Sequence, residues 1–181
     1  MTSGQPVPRR LEVGRRRGDI LVSVVAPALN ESDNLEALYE AVREVLEGEG
    51  CKFELVIADN GSSDHSLEIL EKLAAADRRV RFLALSRNFG HQGGLIAGLE
   101  HAEGDVVICM DADLQHPPAT IPDLLAQWED GYDIVNTRKR TTATTSPARR
   151  VGNRLYYWLV SKLSGIPMQD RQSDFRLMDR T

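Results

Sequence analysis

The chain is expected to adopt an α/β fold, a Rossmann-like, mostly parallel sheet flanked by helices. Three observations predict it. Short apolar runs alternate with segments of helical periodicity, the runs are continuous rather than two-faced, and polar or acidic residues cluster where the runs end. Continuous apolar strands are buried on both faces, as parallel strands are when crossover helices cover them.

The elements follow in order. Asp19–Leu29 (DILVSVVAPAL) reads as the first strand. Leu35, Leu38, Val42, Val45 and Leu46 then recur at helical spacing, with Ser32 or Asp33 as the expected cap and Gly48 as the stop. Phe53–Asp59 (FELVIAD) is the second strand, and Leu67, Leu70 and Leu73 mark a helix that Ser63 or Asp64 would cap. Val80–Ser86 and Asp105–Met110 are the third and fourth strands, separated by a glycine-containing helix near His91–Ala102. Pro117-Pro118 opens a helix reaching Trp128, since proline suits a first turn, and Tyr132–Thr137 is the fifth strand.

Composition sets bounds. A chain of 181 residues fits one domain, and 41% hydrophobic with 27% charged residues is ordinary for a globular protein. Cys51 and Cys109 match no metal-ligand spacing, so free thiols in a reducing compartment are expected. Near the C-terminus the longest apolar run is Leu155–Val160, too short to span a membrane.

Charge is unevenly placed. Residues 1–19 carry five Arg against Glu12 and Asp19, net +3, which leaves −8 on the remainder of a chain of net −5. This segment has no apolar core of a signal peptide and reads as a disordered basic extension, with residues 20–181 as the folded domain. From Ile134 to Gln169 there is no acid, while seven Lys and Arg supply +7. That stretch reads either as a site for an anionic partner or as a solvated face. Within it Leu155, Leu159 and Leu163, with Trp158, fall at helical spacing beside Arg150, Arg154 and Lys162. The pattern fits a helix lying in a membrane interface, and equally a helix packed on the sheet.

Ligands of such sheets bind beyond the carboxyl ends of the strands. There the chain places Pro27-Ala28-Leu29-Asn30-Glu31, then Asp59-Asn60-Gly61-Ser62-Ser63-Asp64, then Asp111-Ala112-Asp113. Neither the glycine fingerprint of a dinucleotide fold nor a phosphate-binding P-loop is present, and Gly93–Gly98 (GGLIAG) reads as close helix packing. Asp111 and Asp113, one residue apart after a buried strand, suit a hard divalent cation. Mg²⁺ or Mn²⁺ takes one or two carboxylates together with substrate phosphates.

Five stretches, VSVVAPALNESDNL, ADNGSSDHS, SRNFGHQGGLIAGLEHAEGD, MDADLQHPP and SDFRLMDR, together resemble the family 2 glycosyltransferases of GT-A fold. Within them the likeness is to the polyprenyl-phosphate glycosyltransferase group, which includes dolichyl-phosphate mannose synthases and bacterial undecaprenyl-phosphate glucosyltransferases. The resemblance covers about residues 20–181. It implies inverting transfer of a sugar from UDP or GDP to a lipid phosphate, by an enzyme lying peripherally on the cytoplasmic face of the membrane. It further implies that Pro27, Asn30, Glu31, Asp59, Asn60, Asp111 and Ala112 line the nucleotide-sugar site. Asp111, Asp113 and Gln115 would hold a divalent metal, Mg²⁺ or Mn²⁺. Arg138 and Arg149 would face phosphates, and Asp174 and Arg176 would form the acceptor-side catalytic motif. The residues also admit plainer roles: Asn30 and Asp59 as turn formers, Arg176 as a partner of Asp174.

The chain departs from that group in three places. It has Asp59-Asn60-Gly61-Ser62 where Asp-Asp-Gly-Ser is frequent, His116 where an Asp is common, and it stops at Thr181, before the membrane-associated part that such enzymes carry. The expected partners are a nucleotide-sugar donor, a polyprenyl phosphate acceptor and a membrane surface, with no nucleic acid and with a homo-oligomer left open. Transfer to a polysaccharide or soluble acceptor, and an inactive nucleotide-sugar binder, remain as alternatives.

Overall fold

The computed structural model describes residues 17–138 and 172–180. The elements run β1 (Leu21–Ala28), α1 (Leu35–Gly48), β2 (Lys52–Asp59), α2 (Ser66–Ala76), β3 (Val80–Ala84), α3 (His91–His101), β4 (Val106–Cys109), α4 (Ile121–Glu129), β5 (Ile134–Arg138) and β6 (Gln172–Asp179). Short 3-10 turns precede β1 (Arg17–Asp19) and α4 (Pro118–Thr120). The chain divides into two compact units, and the second, Asn136–Ser173, is described only at its two ends.

The strands form one six-stranded sheet in the order β3-β2-β1-β4-β6-β5. β1 pairs in parallel with β2 and β4, and β2 with β3, while β6 runs antiparallel to β4. The expected mostly parallel sheet is therefore present, with one strand more than the sequence reading named. The segment SDFRLMDR was read only as a motif, yet it forms most of β6. Its period-two pattern is the physical reason: Phe175 and Leu177 are buried, whereas Arg176 between them and Met178 after them are half-buried.

The sheet separates two apolar layers. On one face Leu35, Leu38, Val42 and Leu46 of α1 and Ile121, Leu124, Leu125 and Trp128 of α4 meet alternate residues of β1, β2 and β4. On the other, Leu95 and Leu99 of α3 meet Val25, Val56, Val107 and Cys109. A Cβ at Gly98 would lie 2.5 Å from Val25 Cγ1, so glycine there lets α3 sit directly on β1. Close packing, as expected, is the role of the glycine-rich run.

Element ends differ from the sequence reading. α1 is preceded by Asn34 rather than Ser32 or Asp33, and Asn34 makes no capping bond; its amide donates instead to Glu31 Oε2 at 2.6 Å. α2 starts after His65, while Asp64 accepts from the backbone of Ser66 and Ser32. Those bonds, with that of the Ser66 side chain foremost, hold Asp64 well below the usual carboxylate range. Pro118 opens a 3-10 turn, and the helix itself begins at Ile121. Arg17–Asp19, expected within the basic extension, form a turn in which Arg17 clasps Glu129 and Glu49. Residues 1–16, Arg149 and the 149–163 segment lie outside the described residues. Among the described residues no helix is long and apolar enough to cross a membrane.

Candidate active site

The strand order reverses at β1, which has β2 on one side and β4 on the other. A crevice opens at such a reversal, outside the carboxyl ends of the strands. Here it is widened by unequal lengths: the β1–β4 ladder ends at Val25–Cys109, whereas β1 continues beside β2 to Ala28. Pro27 occupies this overhang, where its missing N–H leaves no β4 acceptor unmet. A cavity of about 430 Å³ results, and Pro27, Leu29, Glu31, Asn60, Asn88, Gly90, His91, Asp111, Ala112 and Asp113 are among its lining residues.

Each strand end delivers its residues differently. After β4, Leu114 takes a left-handed backbone (φ 57°) and turns the chain sharply. The Gln115 N–H then donates to Asp113 Oδ1 at 3.0 Å, which holds that carboxylate beside the turn. The Gln115 side chain is exposed and is not among the cavity's lining residues. Asn30, also left-handed (φ 57°), accepts from the Ser63 N–H at 2.8 Å through its side chain and donates its own N–H to Ser62 Oγ at 2.9 Å. It joins the loops after β1 and β2 and is not a lining residue. Asn60 ties a third loop: its amide donates to Gly90 O at 2.9 Å and accepts from the Phe89 N–H at 2.9 Å. An aspartate could not donate to that carbonyl, which is a physical account of Asn60 at a position where Asp is frequent.

Two carboxylates at this edge are incompletely satisfied. Asp59, 3% exposed, accepts from the Ser62 N–H at 3.3 Å through Oδ2, while its buried Oδ1 has no hydrogen-bond donor among the described residues. Asp111 Oδ1 is likewise buried without a donor. It lies 3.6 Å from His91 Nε2, and Oδ2 lies 3.4 Å from His116 Nδ1. Among the described residues no group of three His, Cys, Asp or Glu could by itself hold a metal. An ion that keeps substrate oxygens in its shell needs only one or two protein carboxylates, so Asp111 and Asp113 fit one.

The segment expected to form the acceptor-side motif lies on β6, beside β4. In the antiparallel register Arg176 pairs with Cys109, the last residue of β4. Arg176 is half-buried. The side chains of Asp174 and Arg138 lie outside the described residues.

Of the nucleotide-site residues named from sequence, Pro27, Glu31, Asn60, Asp111 and Ala112 line the cavity, as does Asp113 of the expected metal set. Sequence reasoning missed Asn88, Gly90 and His91. Their stretch, SRNFGHQGG, belongs to the resemblance, but the sequence reading gives it no site role. A loop delivered by a parallel strand to the same edge was the signal that could have found them.

A model of the family described as Glycosyl transferase family 2 matches residues 23–181. The chain belongs to that family. The undecaprenyl-phosphate 4-deoxy-4-formamido-L-arabinose transferase of Shewanella sediminis is 41% identical over 150 residues, 82% of this chain and 45% of that protein. The prophage bactoprenol glucosyl transferase homolog of Escherichia coli K12 is 36% identical over 159 residues, 88% and 52% of the two chains. The chain spans about half the length of the curated relatives it matches. The fold is GT-A, shared with glucosyl-3-phosphoglycerate synthase of Mycobacterium tuberculosis at a TM-score of 0.61 and 22% identity, over 91% of this chain and 60% of the other. TarS of Staphylococcus aureus, solved with UDP, has a TM-score of 0.54 at 25% identity over 70% of this chain and 38% of its own.

Proposed function

We propose that the chain binds a UDP- or GDP-linked sugar in the β1–β4 crevice and takes part in its metal-dependent, inverting transfer to a polyprenyl phosphate at the cytoplasmic membrane face. The observation that carries the reading is Asp111, which lines the cavity with one buried carboxylate oxygen that has no hydrogen-bond donor among the described residues; Asp59, set behind the lining residue Asn60, has a second such oxygen. Such oxygens are costly unless a ligand completes them. A ribose hydroxyl or base N–H would satisfy Asp59, and a divalent cation would satisfy Asp111. The names of the relatives support the lipid-phosphate acceptor.

Each residue then has a task. Pro27, Glu31 and Asn60 shape the nucleotide end, with Asn30 fixing the loops and Ala112 flooring the turn. Asp111 and Asp113, with Gln115, would hold Mg²⁺ or Mn²⁺, a cation that serves a diphosphate donor. The ion, when bound, neutralises charge as the nucleoside diphosphate departs. A phosphate acceptor has its second pKa near ~6 and is already largely ionised at neutral pH. It needs orientation more than deprotonation, which suits Arg176, Arg138 and Arg149, while Asp174 orients Arg176 or the acceptor.

The test is a panel of nucleotide sugars with a polyprenyl phosphate and Mn²⁺. Asp174→Asn and Arg176→Ala should strongly slow transfer and leave nucleoside-diphosphate affinity nearly unchanged. Loss of nucleotide affinity in both would refute the acceptor-side assignment. Transfer only to soluble acceptors would refute the lipid. The acid-free stretch should also bind anionic vesicles at low salt and release them as salt rises.

A further inference from the structure

We propose that His116 is a positioning residue that fixes the Asp111 carboxylate and ties its orientation to β6; this rests on the donor-site reading above. His116 is 5% exposed, and a Leu or Phe would fill the same space without carrying polar nitrogens out of water. What the nitrogen faces is Asp111: Nδ1 lies 3.4 Å from Oδ2. The other oxygen, Oδ1, faces His91 Nε2 at 3.6 Å. The two imidazoles differ in setting. His91 lines the cavity with its side chain 43% exposed, on the ligand's side of the carboxylate, whereas His116 stands behind it.

The His116 ring is itself held. It stacks on Phe175 with centroids 5.5 Å apart and planes inclined by 29°, and Phe175 is 1% exposed in the middle of β6. On the other side Pro117 and Pro118 restrict the backbone that follows. Phe175 is flanked by Asp174 and Arg176. One buried ring therefore bridges the carboxylate assigned to the donor side and the strand assigned to the acceptor side. A carboxylate held in one orientation need not be ordered when the cation and diphosphate arrive. Partners standing behind metal-binding groups commonly change metal affinity by roughly 10–100-fold when removed.

Calorimetry of UDP and GDP binding, with Mn²⁺ and with chelator, separates this role from packing. His116→Phe keeps a ring against Phe175 and removes the nitrogen. It should leave the melting temperature and the chelator-limited nucleotide affinity unchanged, and lower the Mn²⁺-dependent gain in affinity about tenfold. His116→Asn places an amide nitrogen where Nδ1 stood and should restore most of that gain. An unchanged gain in His116→Phe, or a folded His116→Asn that restores nothing, overturns the proposal. Should His116→Phe fail to fold, Phe175→Leu decides, because it removes the support and keeps the nitrogen; an unchanged gain there overturns the link. A wild-type chain that binds nucleotide with no gain from Mn²⁺ overturns the metal reading itself, a failure distinct from that of His116.

Discussion

Strand β2 carries a buried carboxylate near each end, and their surroundings differ. Near the amino end, Glu54 is 6% exposed and accepts from Ser23 Oγ at 2.5 Å, from the Glu103 N–H at 2.6 Å and from Arg81 Nη1 at 2.8 Å. Burial pushes its carboxyl up, but those hydrogen bonds outweigh burial and hold it below the usual value. At the carboxyl end, Asp59 is 3% exposed and one of its oxygens has no donor among the described residues. Asp111, just after β4, repeats that condition. A buried charge whose donors are complete serves the fold. One whose donors are incomplete stores a demand that a ligand can meet. The two ends of one strand thus separate a carboxylate completed by the fold from one left open to the ligand proposed above.

The largest effect that could break the contrast is on transfer. Asp111→Asn should lower the transfer rate by about 10²–10³-fold, the range for removing one electrostatic partner of a reacting centre. The folded state should not weaken, because an amide is easier to bury there than a carboxylate lacking a donor. Steady-state rates beside a melting curve check both halves. A folded Asp111→Asn with normal turnover would show that the missing donor has no functional meaning.

Glu54→Ala should do the reverse. It strands Ser23 and the Glu103 N–H and should cost about 3 kcal/mol in a urea titration, with nucleotide affinity of the folded fraction unchanged. The pH dependence has a definite sign. Because the folded carboxyl lies below its unfolded value of about 4.3, its contribution is present above that pH and is lost as pH falls further toward the folded value. Glu54→Gln should therefore flatten the acid side of the stability curve. If the mutant and wild-type curves stay parallel below about pH 4.3, Glu54 is not the group responsible.

The smallest effect concerns Asn60. Asn60→Asp removes the donor to Gly90 O and brings an extra charge near Asp59, so a loss of about 1–2 kcal/mol in stability is expected. Nucleotide affinity should fall a few-fold as the Asn88–His91 loop loosens. An equally stable Asn60→Asp would mean that the amide is exchangeable at this position.

Much of the contrast was legible in the sequence, in unequal measure. The apolar runs of β1, β2 and β4 and the polar residues after them could be read directly, because burial on both faces leaves no alternation to interpret. β6 escaped because its alternation coincides with a motif, and because no local rule places Gln172–Asp179 between β4 and β5. That placement is a matter of long-range pairing. Asp59 and Asn60 were named for the site, but sequence could not distinguish the lining residue from the one set behind it. The difference lies in which loop each side chain stitches, and that depends on Gly90 and Ser62 arriving from elsewhere in the chain. His116 is the sharpest case. The sequence marks it only as a departure from the family, where an Asp is common, and the fold alone sets it between Asp111 and Phe175.

The most direct test of the central claim is calorimetric binding of UDP and GDP with Mn²⁺ and then with chelator, for the wild type and for Asp113→Asn. The donor-deficient carboxyl edge should bind one of the nucleotides with Mn²⁺, and chelator should weaken that binding sharply. Asp113→Asn should show the weak binding in both conditions at an unchanged melting temperature. Equal nucleotide affinity in all four measurements would contradict the account.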